Sequence, residues 1–269
     1  MTRDSSSTLP PMTALEFAIE HTFRNFFFSL RLVLGWLVVL SPLLIATYVV
    51  AFAKGPPDFA HVPPATLGLF IALGIAGFLA SLSVCVNWHR RILLKETPKR
   101  LGWIRLNGAV WRYLAAFLLI VIIEGAIATA VFAALNYLPP LLLPRLGPAA
   151  ATIANGLAGL LALVALLVWY RLTTRLPAIA TGIRGFKSWR ATGGNFWTFL
   201  GFTFWLVFSL AIAVAMGTGA FMGQQMLGNQ WVTAAAFVFI GLLAWLSLFL
   251  LATVPTCLFH FLGGVEEVE

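Results

Sequence analysis

Six long apolar runs divide the chain, and a short polar or basic break separates each run from the next. The runs lie roughly at residues 27–53, 66–88, 110–136, 149–171, 197–222 and 231–260. A helix needs about 20 apolar residues to cross the hydrocarbon core of a bilayer, so each run is long enough to span it. None of the runs alternates like a barrel strand. Because unpaired backbone groups are costly in lipid, the pattern predicts an all-α, polytopic integral membrane protein with six transmembrane helices.

The same pattern predicts one domain with a polar tail at each end. We expect a flexible N-terminal tail at 1–11, a single six-helix transmembrane domain at 12–263 and an acidic C-terminal tail at 264–269. The breaks after the first, third and fifth runs are short, nearly uncharged and rich in proline, glycine or amide residues. The spans should therefore pair as three helical hairpins.

The placement of basic residues predicts the topology. Fifteen of the 17 lysines and arginines lie in three regions that six spans would place on one side of the membrane. These regions are the chain up to the first turns of the first span, the second break together with Arg112, and the fourth break. Only Lys54 and Arg145 lie on the opposite side. Since lysine and arginine accumulate on the cytoplasmic side of membrane proteins, we expect both termini to be cytoplasmic.

Composition agrees with this class and removes others. Hydrophobic residues make up 61% of the 269 residues and charged residues 10%, with a mean hydropathy of +0.95. Soluble domains contain about 25% charged residues, so lipid rather than water must cover most of this chain. The net charge of +8 follows the loops of a membrane protein, and we expect no nucleic-acid partner.

A weak internal repeat precedes two of the outgoing spans. The sequence TFRNFF at 22–27 recurs as TGGNFW at 192–197, and a similar basic and aromatic approach runs from Trp103 to Trp111 before the third span. Such segments suit an amphipathic helix that lies flat in the headgroup layer. The repeat predicts three units, each a short cytoplasmic interfacial segment followed by a hairpin; the alternative is chance similarity among aromatic-rich interfaces.

The C-terminal third carries a resemblance to a known group. The stretches RLTTRLPAIATG at 171–182 and SWRATGGNFW at 188–197, with TVPTCLFHFL at 253–262, resemble uncharacterised bacterial multi-span proteins. These are similar to the membrane domain of some glycerophosphodiester phosphodiesterases. The resemblance implies a helical membrane fold in the bacterial inner membrane. It implies no catalytic residues, because the hydrolase of that group is a separate domain.

A single carboxylate, Glu124, lies in the middle of the third run, within LLIVIIEGAIATAVF at 118–132. An ionised carboxylate at that depth costs roughly 2.5–3.5 kcal/mol on insertion scales, so we expect a neutral acid that faces the bundle. Small neighbours such as Gly125 and Ala128 allow close helix approach. Glu124 is then either an intramembrane proton or cation site, or a neutral hydrogen-bonding group toward another helix or subunit.

Two further features lie at similar depth. The serines nearest the centres of the other helices, and thus possible partners of Glu124, are Ser41, Ser81, Ser209 and Ser247. Pro42 frees a backbone carbonyl and should kink the first span. Transporters use such broken helices to expose the backbone to a substrate, although proline is also common in membrane helices without that role.

Two candidate sites lie at the cytoplasmic ends of the spans. Cys85 with His89, and Cys257 with His260, each fall on one helical face and together offer a tetrahedral zinc set, although packing and interfacial roles are the simpler explanation. Basic side chains beside Gly193 and Gly194 could hold a phosphate or an anionic lipid headgroup, or serve topology alone. They are Arg90, Arg91, Arg171, Arg175, Arg184, Lys187 and Arg190.

No motif for nucleotide binding, hydrolysis or a cofactor occurs in the chain, so we expect a protein that is not an enzyme and has no cofactor. Our first hypothesis is an accessory or lipid-contacting subunit of the bacterial inner membrane. Its partners would be membrane lipids, especially anionic ones, and another membrane protein or a second copy. The alternative is a small proton-coupled secondary transporter or permease that uses Glu124.

Overall fold

A computed structural model of the chain describes residues 10–52, 63–97, 104–147, 149–183, 185–204 and 252–264, together with 208, 211, 212, 215, 218, 219 and 249. All regular structure in these ranges is helical, which confirms the all-α prediction. The predicted fifth and sixth spans lie largely outside the described residues, as do most of both predicted tails. Ser209, Ser247 and Arg184 also lie outside them.

Nine α-helical segments are described, besides the isolated helical positions between 208 and 219 and at 249, and the last segment ends in a π-helical turn at His260–Gly264. They are α1 (Pro11–Arg24), α2 (Phe26–Phe52), α3 (Pro64–Leu94), α4 (Gly108–Leu146), α5 (Ala149–Thr173), α6 (Arg175–Thr181), α7 (Ser188–Ala191), α8 (196–204) and α9 (Ala252–Leu262). Four stretches are long and apolar enough to cross a membrane: Phe26–Val50, Pro64–Leu94, Gly108–Leu146 and Ala149–Thr181. They coincide with the first four apolar runs, as expected of a multi-pass membrane protein.

Each of the helices α2, α4 and α8 begins directly after an asparagine. The backbone carbonyls of Asn25 and Asn195 accept the first helical hydrogen bond, from the amide four residues later, at 2.9 and 3.2 Å. The side chain of Asn107 accepts from the Ala109 amide at 3.1 Å. Asparagine is well suited to this position because its side chain can satisfy backbone groups that the first turn leaves unpaired.

The threonines of the two TxxN copies make the same hydrogen bond, although residues 22–24 are helical and residues 192–194 form a turn. Thr22 and Thr192 are both buried, and each hydroxyl donates to the carbonyl four residues earlier, at 2.7 and 2.8 Å. The segment before α4 differs, because residues 104–107 are not helical. Of the expected approach from Trp103 to Trp111, Trp103 lies outside the described residues, and the part from Gly108 onward belongs to α4.

The second hairpin turns more tightly than the sequence predicts. Helix α4 continues to Leu146, through Pro139, Pro140 and Pro144, and Gly147 ends it with φ +55° and ψ −139°. At 1.5 Å per residue its 39 residues measure about 58 Å, which exceeds the roughly 30 Å of hydrocarbon in a bilayer. The helical hydrogen bonds therefore continue well past the apolar run, and hydropathy does not mark the end of the helix.

Most buried residues lie at one end of the helices, where α2 and α4 begin and α3 and α5 finish; we call it the junction end. Apart from Thr66, every buried residue of α3 lies between Ala80 and His89. The opposite end of the second hairpin packs through small residues of α5, namely Ala150, Ala154 and Ala158. A small-residue stripe of this kind allows close contact between membrane helices.

Candidate functional site

Three helices meet at the junction end through buried polar side chains. The indole Nε1 of Trp88 on α3 donates to Thr253 Oγ1 on α9 at 2.8 Å, and the same oxygen lies 3.4 Å from Thr22 Oγ1 on α1. All three side chains are at most 1% exposed. Because a buried donor without a partner is costly, these hydrogen bonds fix how the three helices pack.

His89 connects a further helix to this cluster. Its Nδ1 lies 2.7 Å from Thr256 Oγ1 on α9, and its Nε2 lies 3.0 Å from the Tyr113 hydroxyl on α4. His89 is fully buried and Tyr113 is 5% exposed. Both ring nitrogens therefore have protein partners. We call the set Thr22, Trp88, His89, Tyr113, Thr253 and Thr256 the polar junction.

An ion cluster lies beside the polar junction, just beyond the end of α3. Glu96 accepts two hydrogen bonds from the Arg90 guanidinium, one of them at 2.8 Å from Nε, and its Oε2 lies 3.6 Å from Arg105 Nη2. Arg90 Nη1 also donates to the carbonyl of Ala180, at the end of α6, at 3.0 Å. Hydrogen bonding and charge from Arg90, with the charge of Arg105, lower the pKa of Glu96.

Two other expected lipid-binding arginines are held by aromatic rings. The Arg91 guanidinium lies 5.3 Å from the Phe28 ring centre, and its Nε donates to Asn25 Oδ1 at 3.0 Å. The Arg171 guanidinium stacks at 4.6 Å over Trp189. These contacts use the cation–π attraction between guanidinium and aromatic faces. Arg91 and Arg171 are therefore already engaged in structural contacts.

A separate open pocket of about 560 Å³ lies between the start of α4 and the turn that follows α6. It is lined by Arg112, Arg175, Ile179, Gly182, Ile183 and Phe186, among others. We call it the arginine pocket. Arg112 and Arg175 are both exposed and form no ion pair with another described residue. The pocket can thus offer two guanidinium groups to an anion.

The predicted zinc set does not come together. His89 uses both nitrogens within the polar junction, and Cys257 donates to the carbonyl of Ala14 on α1 at 3.4 Å. His260 is exposed and stacks on Phe17 at 5.4 Å between ring centres. Among the described residues no group of three or more potential ligands is placed to hold a metal ion. Helices α3 and α9 are neighbours, as the zinc hypothesis required, but the faces with these residues point to different partners.

Glu124 contacts neither Ser41 nor Ser81, the two of its four expected serine partners that lie within the described residues. Its Oε1 is buried, and no described residue hydrogen-bonds to it. Ser41 and Ser81 are exposed, and each hydroxyl donates to its own helix, to the carbonyls of Val38 at 2.7 Å and Gly77 at 2.9 Å. The carboxyl group is therefore half-buried on α4 without either of these hydroxyls.

Pro42 does not break its helix. Helix α2 is continuous from Phe26 to Phe52. The carbonyl that Pro42 frees belongs to Val38, and it is the carbonyl that accepts the Ser41 hydroxyl. A serine hydroxyl thus replaces the missing backbone amide, and this backbone oxygen already has a donor.

Of the predicted lipid-binding residues not yet placed, two lie within the described part of the chain and one, Arg184, lies outside it. Lys187 and Arg190 are exposed. Gly193 lies against the Arg190 carbonyl, and an added Cβ would meet that oxygen at 3.3 Å. Gly193 and Gly194 do not line the arginine pocket. Instead, the glycine turn beside Arg175 follows α6, with φ +82° at Gly182 and +88° at Gly185.

Arg112 and Tyr113 were not predicted as site residues. In the sequence Arg112 counts only as a charge that indicates topology, and Tyr113 carries no prediction. The one available signal was that both follow directly on the basic break, in the first turns of an apolar helix. That spacing places them at the level of other helix ends but does not name their partners.

No family model, no curated protein and no solved structure matches the chain. The resemblance to the membrane domain of glycerophosphodiester phosphodiesterases stays an expectation from the sequence.

Proposed function

We propose that this chain is a non-enzymatic, lipid-contacting accessory subunit of the bacterial inner membrane, with both termini in the cytoplasm. It would have six spans, of which the described helices include four candidates. The polar junction would give the cytoplasmic ends a fixed arrangement. The exposed basic side chains around it would contact anionic headgroups.

One observation carries this proposal. Arg112, Arg175, Lys187 and Arg190 are exposed at the junction end, and none forms an ion pair with a described residue. Each lysine or arginine near an anionic membrane surface contributes about 1 kcal/mol of attraction. Four such charges on one face favour an anionic bilayer surface over a neutral one.

Lipid retention tests the proposal. The full chain is reconstituted into nanodiscs of phosphatidylcholine with a minor fraction of phosphatidylglycerol, extracted in mild detergent, and the retained lipid is quantified. We expect phosphatidylglycerol to be enriched over its bulk fraction, and the enrichment to fall as salt screens the charges. Retained lipid with the bulk composition would contradict the proposal.

The accessory role needs a separate test. Chemical crosslinking in native membranes, followed by purification of the chain, should give one recurrent membrane-protein partner or a second copy of the chain. A chain that is recovered alone under several crosslinkers would remove the accessory role and leave lipid contact. Such a result would not affect the lipid measurement.

A second candidate function is proton-coupled transport through Glu124. It is supported by the buried Glu124 Oε1, which has no hydrogen-bond partner among the described residues. A carboxyl that can gain and lose a proton within a bundle is the usual element of a proton relay. A transport path also needs several polar groups, and Ser41 and Ser81 are engaged with their own helices. We therefore place this function second.

Proteoliposomes that contain a pH-sensitive dye test this second function. Under an imposed pH gradient, wild-type chain should dissipate the gradient faster than Glu124→Gln, while the exposed Glu20→Gln serves as the control for loss of one acidic group. Equal rates for wild type and Glu124→Gln would contradict a substrate-independent passage of protons through Glu124.

A further inference from the structure

We infer that the arginine pocket binds the phosphate group of an anionic lipid headgroup, with Arg112 and Arg175 as its ligands. This inference deepens the proposed function and rests on it. It assigns one defined site to a face that would otherwise attract anionic lipid only by its overall charge.

The two arginines come from different helices that are packed against each other. Arg112 belongs to the first turns of α4 and Arg175 to the first turn of α6, yet both line the same pocket. The cluster of Val110 and Tyr113 with Leu176 and Ala180 packs these two helices together. The helix backbones are therefore fixed relative to each other, which keeps the two side chains beside one opening.

Arg112 and Arg175 differ from the neighbouring arginines in having no partner for their charge among the described residues. Arg90 and Arg105 share Glu96, and Arg91 and Arg171 are engaged by aromatic rings. Among the described residues, Arg112 and Arg175 have no carboxylate partner. Guanidinium groups match phosphate oxygens in geometry and form charge-assisted hydrogen bonds with them. The pair is therefore available for an external anion.

The apolar part of the pocket lining favours a lipid over a soluble phosphate. Ile179, Ile183 and Phe186 line the same pocket as the two arginines. A free phosphate has no apolar group that could contact these side chains. A phospholipid has an apolar part directly next to its phosphate. The volume of about 560 Å³ lies in the range of roughly 300–1,000 Å³ that is common for small-molecule sites.

The turn after α6 gives the pocket its open edge. Gly182 and Gly185 line it and have φ of +82° and +88°, a region that other residues rarely adopt. At both glycines an added Cβ would meet nothing within 4 Å. Glycine is needed here for the backbone conformation, and the absence of side chains leaves the approach to the arginines open.

The test compares two double variants with equal loss of charge in the full chain. Arg112→Gln with Arg175→Gln removes the pocket cations, and Lys187→Gln with Arg190→Gln removes two exposed cations that do not line the pocket. Each protein is reconstituted with phosphatidylglycerol or with oleate, an anionic lipid without phosphate, and retained lipid is measured. Because all four side chains are exposed, both variants should fold, and circular dichroism checks this.

We expect wild type to prefer phosphatidylglycerol over oleate. The Lys187/Arg190 variant should retain less of both lipids, because it loses two charges that attract any anionic lipid, but it should keep the wild-type preference. The pocket variant should lose phosphatidylglycerol about tenfold, as expected for the loss of charge-assisted hydrogen bonds, and should no longer discriminate. A pocket variant that keeps the preference would overturn the inference. If wild type shows no enrichment of either anionic lipid, the proposed function itself fails.

Inorganic phosphate separates the two sources of the same chemistry. Added at high concentration with sodium chloride as an ionic-strength control, it should displace little phosphatidylglycerol if a lipid is the ligand. Full displacement by phosphate but not by chloride would assign the pocket to a soluble phosphate compound and overturn the lipid assignment.

Discussion

The Nε2 atom of His89 lies 3.0 Å from the Tyr113 hydroxyl, and this hydrogen bond joins the end of α3 to the start of α4. The other ring nitrogen of His89 reaches Thr256 on α9. The imidazole therefore connects three helices at a point without exposure to solvent. Loss of either partner leaves a buried polar atom unpaired.

Tyr113→Phe should lower the free energy of unfolding by about 1–3 kcal/mol, because it leaves the buried His89 Nε2 without a partner. The measurement is the apparent melting temperature in detergent. Tyr48→Phe is the matched control, since Tyr48 on α2 is 66% exposed. Similar melting temperatures for the two variants would contradict a stabilising role of the polar junction.

Thr253→Val should also destabilise the chain, by roughly the same amount. The substitution keeps the shape of the side chain but removes the acceptor of the Trp88 indole at 2.8 Å. Thr129→Val is the control. The hydroxyls of Thr253 and Thr129 each donate to the carbonyl four residues earlier in their own helix, but Thr129 is exposed. Limited proteolysis of both variants provides a second readout. Equal protection would show that the Trp88–Thr253 bond contributes little.

Acid should weaken the junction end through Glu96. Its folded-state pKa is lowered by Arg90 and Arg105, so its contribution is fully present above the unfolded value of about 4.3. That contribution is lost as the pH falls through the folded-state pKa. Melting temperature as a function of pH should fall in this window for wild type and less for Glu96→Gln. Parallel curves for the two proteins would refute this account.

Gly147→Ala should destabilise the second hairpin by about 1–3 kcal/mol, because φ +55° with ψ −139° is strained for any residue with a Cβ. Gly125→Ala, in the middle of α4, meets nothing within 4 Å and should be neutral or slightly stabilising. Melting temperatures of the two variants test this pair. A tolerant Gly147 would mean that the turn can adopt another conformation.

Cysteine labelling tests the predicted topology. In a background with Cys85→Ala and Cys257→Ala, a membrane-impermeant maleimide should label Arg145→Cys in intact cells. It should label Arg190→Cys only after permeabilisation. Both positions are exposed, so access across the membrane decides the result. Labelling of both in intact cells would contradict cytoplasmic placement of the basic breaks.

Hydropathy alone predicted the helical class and the first four spans, because burial of apolar surface in lipid leaves little choice of structure. The recurrence of TxxN before α2 and α8 was also visible in the sequence, and Thr22 and Thr192 have the same local hydrogen bond. The end of α4 was not predictable in this way. Helical hydrogen bonds continue past Pro139 and Pro144, whereas apolar content falls earlier.

The partners at the junction end could not be predicted, because they depend on which helix ends come together. Helical periodicity correctly placed Cys85 and His89 near each other, and Cys257 near His260. It did not show that His89 would face Thr256 while Cys257 would face Ala14. Likewise, the positive-inside rule treats Arg112 and Arg91 alike. In the structure, Arg112 lines the arginine pocket, whereas Arg91 contacts Phe28 and Asn25.

The uneven burial of the long helices has a mechanical consequence. In the most apolar window of α4 only 6% of the residues are buried, and in that of α2 only 11%. The hydrogen bonds of the polar junction hold one end of the bundle, while lipid tails surround the remainder. Because α4 and α5 stay in contact through Ala150, Ala154 and Ala158 at the opposite end, we expect a bilayer that thins or thickens to tilt the second hairpin as one unit, as hydrophobic mismatch demands. The junction end would then keep its hydrogen bonds while the angle between this hairpin and the bilayer changes.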